Sequence, residues 1–234
     1  MNILAIETSG QAGSVAVLID GHFLREIVLS PTVRSAVTLA PAVRDLLAEV
    51  GWKATDVHLL AVAIGPGSFT GLRVGVTAAK SFAYAVSAEV IGVGTLDVIA
   101  AQSGITDRPL SVALDAQRGQ VFACEFACAA NGCRAEGPPV ILDIDKWIAG
   151  LKPGTAVSGP ALEKLAAQIP AEVTIVPSDR WSPRAATVGR LGWRRYQSGE
   201  RDDLWQLVPN YFRPSAAEEK LAGKRSSLKP SVNP

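Results

Sequence analysis

Histidine is scarce here: a chain of 234 residues has two, His22 and His58. Neither has a second ligand at helical spacing, and no HxxxH or HExxH occurs, so a metal site of the zinc-hydrolase kind is not expected. Neither lies near a nucleophile motif, which leaves no Ser-His-Asp set to assemble. A basic excess is missing as well, since 23 basic residues face 22 acidic ones for a formal charge of +1. A domain that grips nucleic acid unaided carries a basic excess or stripe. The one basic cluster along the chain is Lys224, Arg225 and Lys229 in the tail, so tight RNA binding by this chain alone is disfavoured. No apolar run reaches the roughly 18 residues of a membrane span. The first such run, Ile3 to Ile6, stops at Glu7 and is too short for an export signal. Cysteines number three, Cys124, Cys128 and Cys133. An odd count without an export signal predicts reduced thiols and a cytoplasmic protein. Cys124 and Cys128 share one strand face, which predicts burial as small apolar residues.

What is present is 48% apolar and 19% charged, the composition of a globular chain with a substantial core. Strands are predicted over 3–7, 14–20 and 22–29, the last two joined by Asp20-Gly21, which suits a tight turn. Leu39, Val43, Leu46, Leu47 and Val50 recur at helical spacing over 38–50, and Gly51 closes that helix. A strand over 59–64, a helix over 72–86, a strand over 90–93 and a helix over 96–102 follow. The same order then returns. Strands over 110–115 and 120–128 flank the turn-like Gln117-Arg118-Gly119, and a weaker strand lies within 133–142. A helix over 145–150, a strand over 155–158, a helix over 161–168, a strand over 173–176 and a helix over 184–196 complete the copy.

Residues 1–104 and roughly 105–200 therefore read as two copies of one unit, with a boundary near 102–109. The first strand of each ends in a carboxylate, Glu7 and Asp115, and the fourth runs into Gly-Pro, at Gly65-Pro66 and Gly159-Pro160. The fold expected is α/β, a duplicated ribonuclease-H-like unit in two lobes, as in the actin-like ATPase superfamily. The second lobe runs on to 213 through 207–213, an extended apolar piece expected to dock. Residues 214–234 are polar and proline-containing and are expected to be a largely disordered tail.

The most informative stretch is Gly65-Pro66-Gly67-Ser68-Phe69-Thr70-Gly71-Leu72-Arg73-Val74-Gly75. A strand meets a glycine-rich turn and then a helix that Ser68 or Thr70 can cap. Backbone N–H groups at such a helix start can hold an anion, which makes Gly65, Gly67, Ser68, Thr70 and Gly71 a candidate anion- or nucleotide-contacting loop. The bland alternative is a tight connection that binds nothing. It is not a P-loop, because no Gly-Lys-Ser/Thr follows at the required spacing. Glu7 and Asp115 sit where actin-like ATPases place their phosphate-site acids, but Glu7 is a methylene longer than the usual Asp. They read as vestigial, and no cofactor and no catalytic residue is expected.

The helix over 72–86 is apolar or small almost all round, with Arg73 and Lys80 its only charges. A helix with one face in water is amphipathic, so this one should be covered on two sides, by the chain's own lobes or by a partner. The candidate partner surface is Leu39, Val43, Leu72, Gly75, Val76, Ala79, Phe82 and Ala83.

ILAIETSGQAGSVAV, AVAIGPGSFTGLRVGVTAAKSFAYA, VIGVGTLDVIAAQ, VALDAQRGQVFACEF and VPNYFR together resemble the TsaB (YeaZ) family, in its order and spacing across most of residues 1–213. The resemblance implies a two-lobed actin-like fold and a non-catalytic scaffold. It implies pairing with the catalytic TsaD subunit, which carries a histidine metal motif absent here, and work with the TsaE ATPase. The complex transfers threonylcarbamoyl from its adenylate to the adenosine beside the tRNA anticodon, so tRNA is met through the complex. A homodimer through the first-lobe helices is implied when the chain is alone. Three positions depart from the family pattern: Glu7 replaces a usual Asp, Arg34-Ser35-Ala36 lacks a frequent His, and Gln120 replaces a common Glu. The competing readings are an active ATPase or phosphotransferase of the actin-like superfamily and, with no nucleophile or metal motif behind it, a peptidase.

Overall fold

In the computed structural model, which describes residues 1–213, the apolar run at 3–6 lies in the middle strand of a five-stranded sheet. The tail 214–234, expected to be disordered, lies outside the described residues. The sheet is formed by β1 (Asn2–Glu7), β2 (Ser14–Ile19), β3 (His22–Val28), β4 (Leu59–Gly65) and β5 (Glu89–Gly94), in the order β3-β2-β1-β4-β5. β1 is antiparallel to β2 and parallel to β4, and β4 is parallel to β5. Ile3, Leu4, Ala5 and Ile6 are buried on both faces, which is why the run is continuously apolar rather than alternating. Ile19 pairs with His22 across the predicted turn, and Asp20 and Gly21 both have positive φ there.

A second sheet repeats the plan with β6 (Pro109–Gln117), β7 (Gln120–Ala129), β8 (Gly132–Ala135), β9 (Val140–Asp143), β10 (Ala156–Ser158) and β11 (Thr174–Ile175). Its order is β11-β10-β6-β7-β8, with β9 also on β7. In each sheet the first strand of the repeat is central, a hairpin flanks one side and two parallel strands flank the other. The single weak strand expected within 133–142 is two. β8 pairs with 126–129 and β9 with 120–123 along the same edge of β7. Gly137-Pro138-Pro139 separates them, because proline has no N–H to continue a ladder.

The cysteine expectation needs correction. Cys128 and Cys133 are joined by a disulfide. The β7–β8 register sets them directly opposite each other, with Cα atoms 4.0 Å apart, a proximity that composition does not reveal. Cys124 is the free, buried thiol, and burial pushes its pKa up to about 11. Cys124 and Cys128 do share one buried face, in the core under β6 and β7.

Helices α1 (Ser35–Glu49) and α2 (Phe69–Val86) cover the outer face of the first sheet. α1 begins three residues before the periodicity predicts and continues through Pro41. Pro41 cannot donate to the Val37 carbonyl, and Val37 is exposed, so water is available to that carbonyl. The helix ends as Gly51 predicts: Gly51 N–H donates to the Ala48 carbonyl and Trp52 N–H to that of Leu47. On the second sheet, α4 (Ile144–Gly150) and α5 (Leu162–Leu165) take the corresponding outer face.

The inner faces are covered by exchange. α6 (Ala185–Gln197), the last helix of the second repeat, packs Ala185 and Val188 against Ile3, Ala5, Ala16, Leu18 and Ala61 of the first sheet. α3 (Thr95–Gln102), the last helix of the first repeat, buries Leu96, Ile99 and Ala100 with Leu110, Val112 and Phe126 of the second. Its Val98 stays with the first-sheet core. The close approach of α6 depends on Gly192, where a Cβ would lie 2.7 Å from the Ala61 Cβ. Gly192→Val is therefore expected to cost about 3 kcal/mol by overpacking. The exposed Gln197→Ala should stay within about 0.5 kcal/mol of wild type. Urea unfolding of the two variants checks the contrast.

Candidate functional site at the strand ends and the second helix

The glycine-rich loop is closed onto the end of β1. Ser68 caps α2, its Oγ accepting from Gly71 N–H at 3.2 Å, as the sequence suggests. Ser68 N–H donates to the Ser9 carbonyl at 2.8 Å, and Thr8 Oγ1 donates to the Gly71 carbonyl at 2.8 Å. A side chain at 71 would collide with the Thr8 carbonyl and one at 75 with Thr8 Oγ1, while a Cβ at 67 would stand 2.6 Å from the Ser9 carbonyl. The glycines thus serve close packing between loop and strand. Among the candidate loop residues, Gly65 and Gly71 are buried, Gly67 is half-buried, and Ser68 and Thr70 reach the surface.

The two strand-end acids stand in opposite surroundings. Glu7 has no exposed surface. Its Oε1 accepts from Ser9 N–H at 2.6 Å and from Ser9 Oγ, while Oε2 is buried without a partner among the described residues. Burial raises its pKa from 4.5 to about 7, against the lowering by the Ser9 hydrogen bonds. Asp115 is exposed and accepts from Lys164 Nζ at 2.7 Å and from Gln117 N–H at 2.6 Å. The Lys164 hydrogen bond holds its carboxyl below the usual carboxylate range. Among the described residues, no group of three or more His, Cys, Asp or Glu side chains could hold a metal ion.

The partner stripe named from the sequence is turned inward. Leu39, Leu72, Gly75, Val76, Ala79 and Ala83 are buried, and Val43 and Phe82 are half-buried against the same first-sheet core. Periodicity identifies the packed face of a helix but not what packs on it. α2 is nevertheless covered on two sides, because the segment after α6 runs along it. Lys80 Nζ donates to the Leu207 carbonyl at 2.9 Å, and the Tyr84 and Trp205 rings meet edge to face at 5.6 Å. Arg73 donates to Tyr211 Oη at 2.9 Å and lies 4.0 Å from the Phe69 ring centroid.

The segment expected to dock over 207–213 then crosses between the sheets. Asn210 N–H donates to the Ile64 carbonyl at 2.7 Å, and Arg213 donates to the Ala116 carbonyl at 2.8 Å and to Gln120 Oε1. Gln120 also donates to Asp143 Oδ1 at 3.0 Å, a bond a glutamate there could not make when ionised. The outward side of α2 and this strap presents Tyr84, Trp205, Val208 and Tyr211, of which Trp205 is 70% exposed. The sequence reading missed Tyr84 and Trp205 as surface residues, although both are aromatic and neither belongs to the core period.

The family model for tRNA N6-adenosine threonylcarbamoyltransferase (TsaD) matches residues 30–191. The tRNA threonylcarbamoyladenosine biosynthesis protein TsaB of Bacillus subtilis is 28% identical over 230 residues, 94% of this chain and 97% of its own. YeaZ from Pseudomonas aeruginosa superposes with a TM-score of 0.78 at 25% identity, covering 90% of this chain and 99% of that one. The ADPNP-bound activator of 2-hydroxyisocaproyl-CoA dehydratase from Clostridium difficile superposes at 0.50 with 11% identity, over 87% of this chain and 99% of its own, a likeness of fold alone. The fold is the actin-like α/β fold with two mixed sheets.

The Glu7 environment has a pH signature. In the unfolded chain this carboxyl ionises near 4.5, whereas in the fold it keeps its proton to about 7. The folded state therefore binds more protons between those values. The stability this group lends is full below 4.5, falls as pH rises through the window and is level above it. Relative to Glu7→Gln, the wild type should lose about 2 kcal/mol between about pH 5 and pH 8, measured by urea unfolding at each pH.

Proposed function

The chain belongs to the TsaB/YeaZ family, and from that membership we propose that it is a non-catalytic, partner-binding subunit in tRNA threonylcarbamoyladenosine biosynthesis. In this reading it binds and stabilises the TsaD catalytic subunit, works alongside the TsaE ATPase, pairs with itself when alone and meets tRNA through the complex. The observation that carries the reading is the closed strand end. Ser9 and Thr8 occupy the space in front of the glycine loop, and the loop's Ser68 N–H is spent on the Ser9 carbonyl. Phosphoryl transfer depends on placing phosphates and metal ions closely. Here one of the two acids is fully buried with one oxygen held by Ser9, and the other is tied to Lys164. These features weigh against an ATPase or phosphotransferase, which the fold alone would allow.

The outward face of α2 and the strap supports partner binding. Tyr84, Trp205 and Tyr211 with Arg73 form an exposed aromatic and cationic group, the composition enriched at interface hot spots. Ala79 is fully buried, so a charge there would unfold the chain rather than report on an interface. Tyr84→Glu combined with Trp205→Glu is expected to leave a folded monomer by circular dichroism and to weaken TsaD association about 30-fold or more, the loss of roughly one hot-spot residue. Co-purification and light scattering read the result, and unchanged association would place the interface elsewhere. The purified chain is expected to show no ATP hydrolysis above a Glu7→Gln control.

A further inference from the structure

Helix α6 carries charge of one sign. Between residues 184 and 199 the chain has four arginines, Arg184, Arg190, Arg194 and Arg195, and no acid. The near-zero charge of the whole chain hides this stripe, so the tail is not the one basic cluster. The fold sorts the four. Arg184 is paired with Glu26, and Arg195 with Glu200 and Asp202. Arg190 and Arg194 are one helical turn apart on the exposed side and have no acidic partner among the described residues. Arg190 donates to Thr187 Oγ1 at 3.0 Å, which steadies the side chain without neutralising it. Beside them Trp193 and Tyr196 stack at 5.7 Å with an interplanar angle of 11°, and the Arg201 guanidinium lies 3.4 Å from the Tyr196 ring centroid.

We propose that this outer face of α6 is a contact for the phosphate backbone of RNA, a role that rests on the tRNA-modification reading above. The planar, permanently charged guanidinium suits phosphate oxygens, and two such groups a turn apart can take neighbouring phosphates. Trp193 and Tyr196 are half-buried against the first-sheet core and Arg201 lies over Tyr196, so these rings anchor the helix and what the surface offers is charge for phosphate rather than a free ring for bases. A protein partner fits less well. None of the large apolar side chains of α6 is exposed, so this face lacks the apolar centre of a protein interface. The stripe uses few cations, which gives a weak contact that orients RNA within an assembly rather than a tight site on the isolated chain.

The test is fluorescence anisotropy of a labelled, unmodified tRNA transcript with the full chain alone and together with TsaD, at about 50 and 200 mM salt. Arg190→Glu/Arg194→Glu is expected to weaken binding about tenfold or more at the lower salt, and to flatten the dependence of log K on log salt by about 2. Arg190→Lys/Arg194→Lys keeps the charge and is expected to retain most of the affinity. Circular dichroism and co-purification with TsaD check that the variants fold and assemble. Unchanged affinity and salt slope in the Glu variant would overturn the proposal. So would intact tRNA binding with lost TsaD or TsaE association, which would make the stripe a protein contact. If the wild-type chain fails to associate with TsaD while the Glu variant still loses tRNA affinity, the subunit reading falls and the RNA contact stands.

Discussion

Two missing side chains hold the first lobe in its arrangement. Gly71 and Gly75 let α2 settle on Thr8 so closely that a methyl group at either position would strike an oxygen of that residue. From this contact follow the depth of the helix on the sheet, the burial of Leu72, Val76 and Ala79, and the closing of the glycine loop over Ser9. The same placement sets Arg73, Lys80 and Tyr84 outward, where the strap finds its hydrogen bonds and ring contacts. A sequence feature that reads as phosphate binding is, in its geometry, a packing device.

Glu7 ends β1 and Asp115 lies two residues before the end of the equivalent strand β6, which runs on past the predicted end, and their environments have diverged. Asp115 keeps a charge, an ammonium partner and access to water. Glu7 has no exposed surface, and one of its oxygens has no partner among the described residues. A buried carboxyl without a cation is costly when ionised, so Glu7 is least burdensome where it is protonated. Duplication preserved the topology of the two lobes while the chemistry at their strand ends separated.

Most elements were legible in the sequence because their signals are local. Continuous apolar runs gave β1 and β4, the Asp20-Gly21 turn placed the first hairpin, and Gly51 marked the end of α1. Ser68 was legible as a cap because the cap and its target are three residues apart. The glycine loop and the two acids are legible as sequence features, but what surrounds them is not, since Thr8 and Gly71 are far apart along the chain. The Cys128–Cys133 bond depends on strand register. The two-strand form of the 133–142 region was signalled by Pro138-Pro139, which went unread. The partner stripe was misdirected for a physical reason: a row of small and apolar residues looks the same whether a sheet or another protein covers it. The arginine stripe of α6 disappeared into an overall charge of +1.

The exchange of inner helices between the repeats has a consequence for biosynthesis. As the chain leaves the ribosome, β1 to β5 with α1 and α2 come first, and the inner surface of their sheet, with Ala5, Leu18 and Ala61, has no lid. That lid is α6, and it is not complete until residue 197 has been made. The nascent first half must therefore carry an uncovered apolar sheet through the synthesis of nearly all of the second, and such surfaces are what chaperones bind and what aggregates. Neither half has a finished interior alone, so the two lobes close together as one late, cooperative event. A break in the chain between them would produce not two small proteins but two incomplete ones.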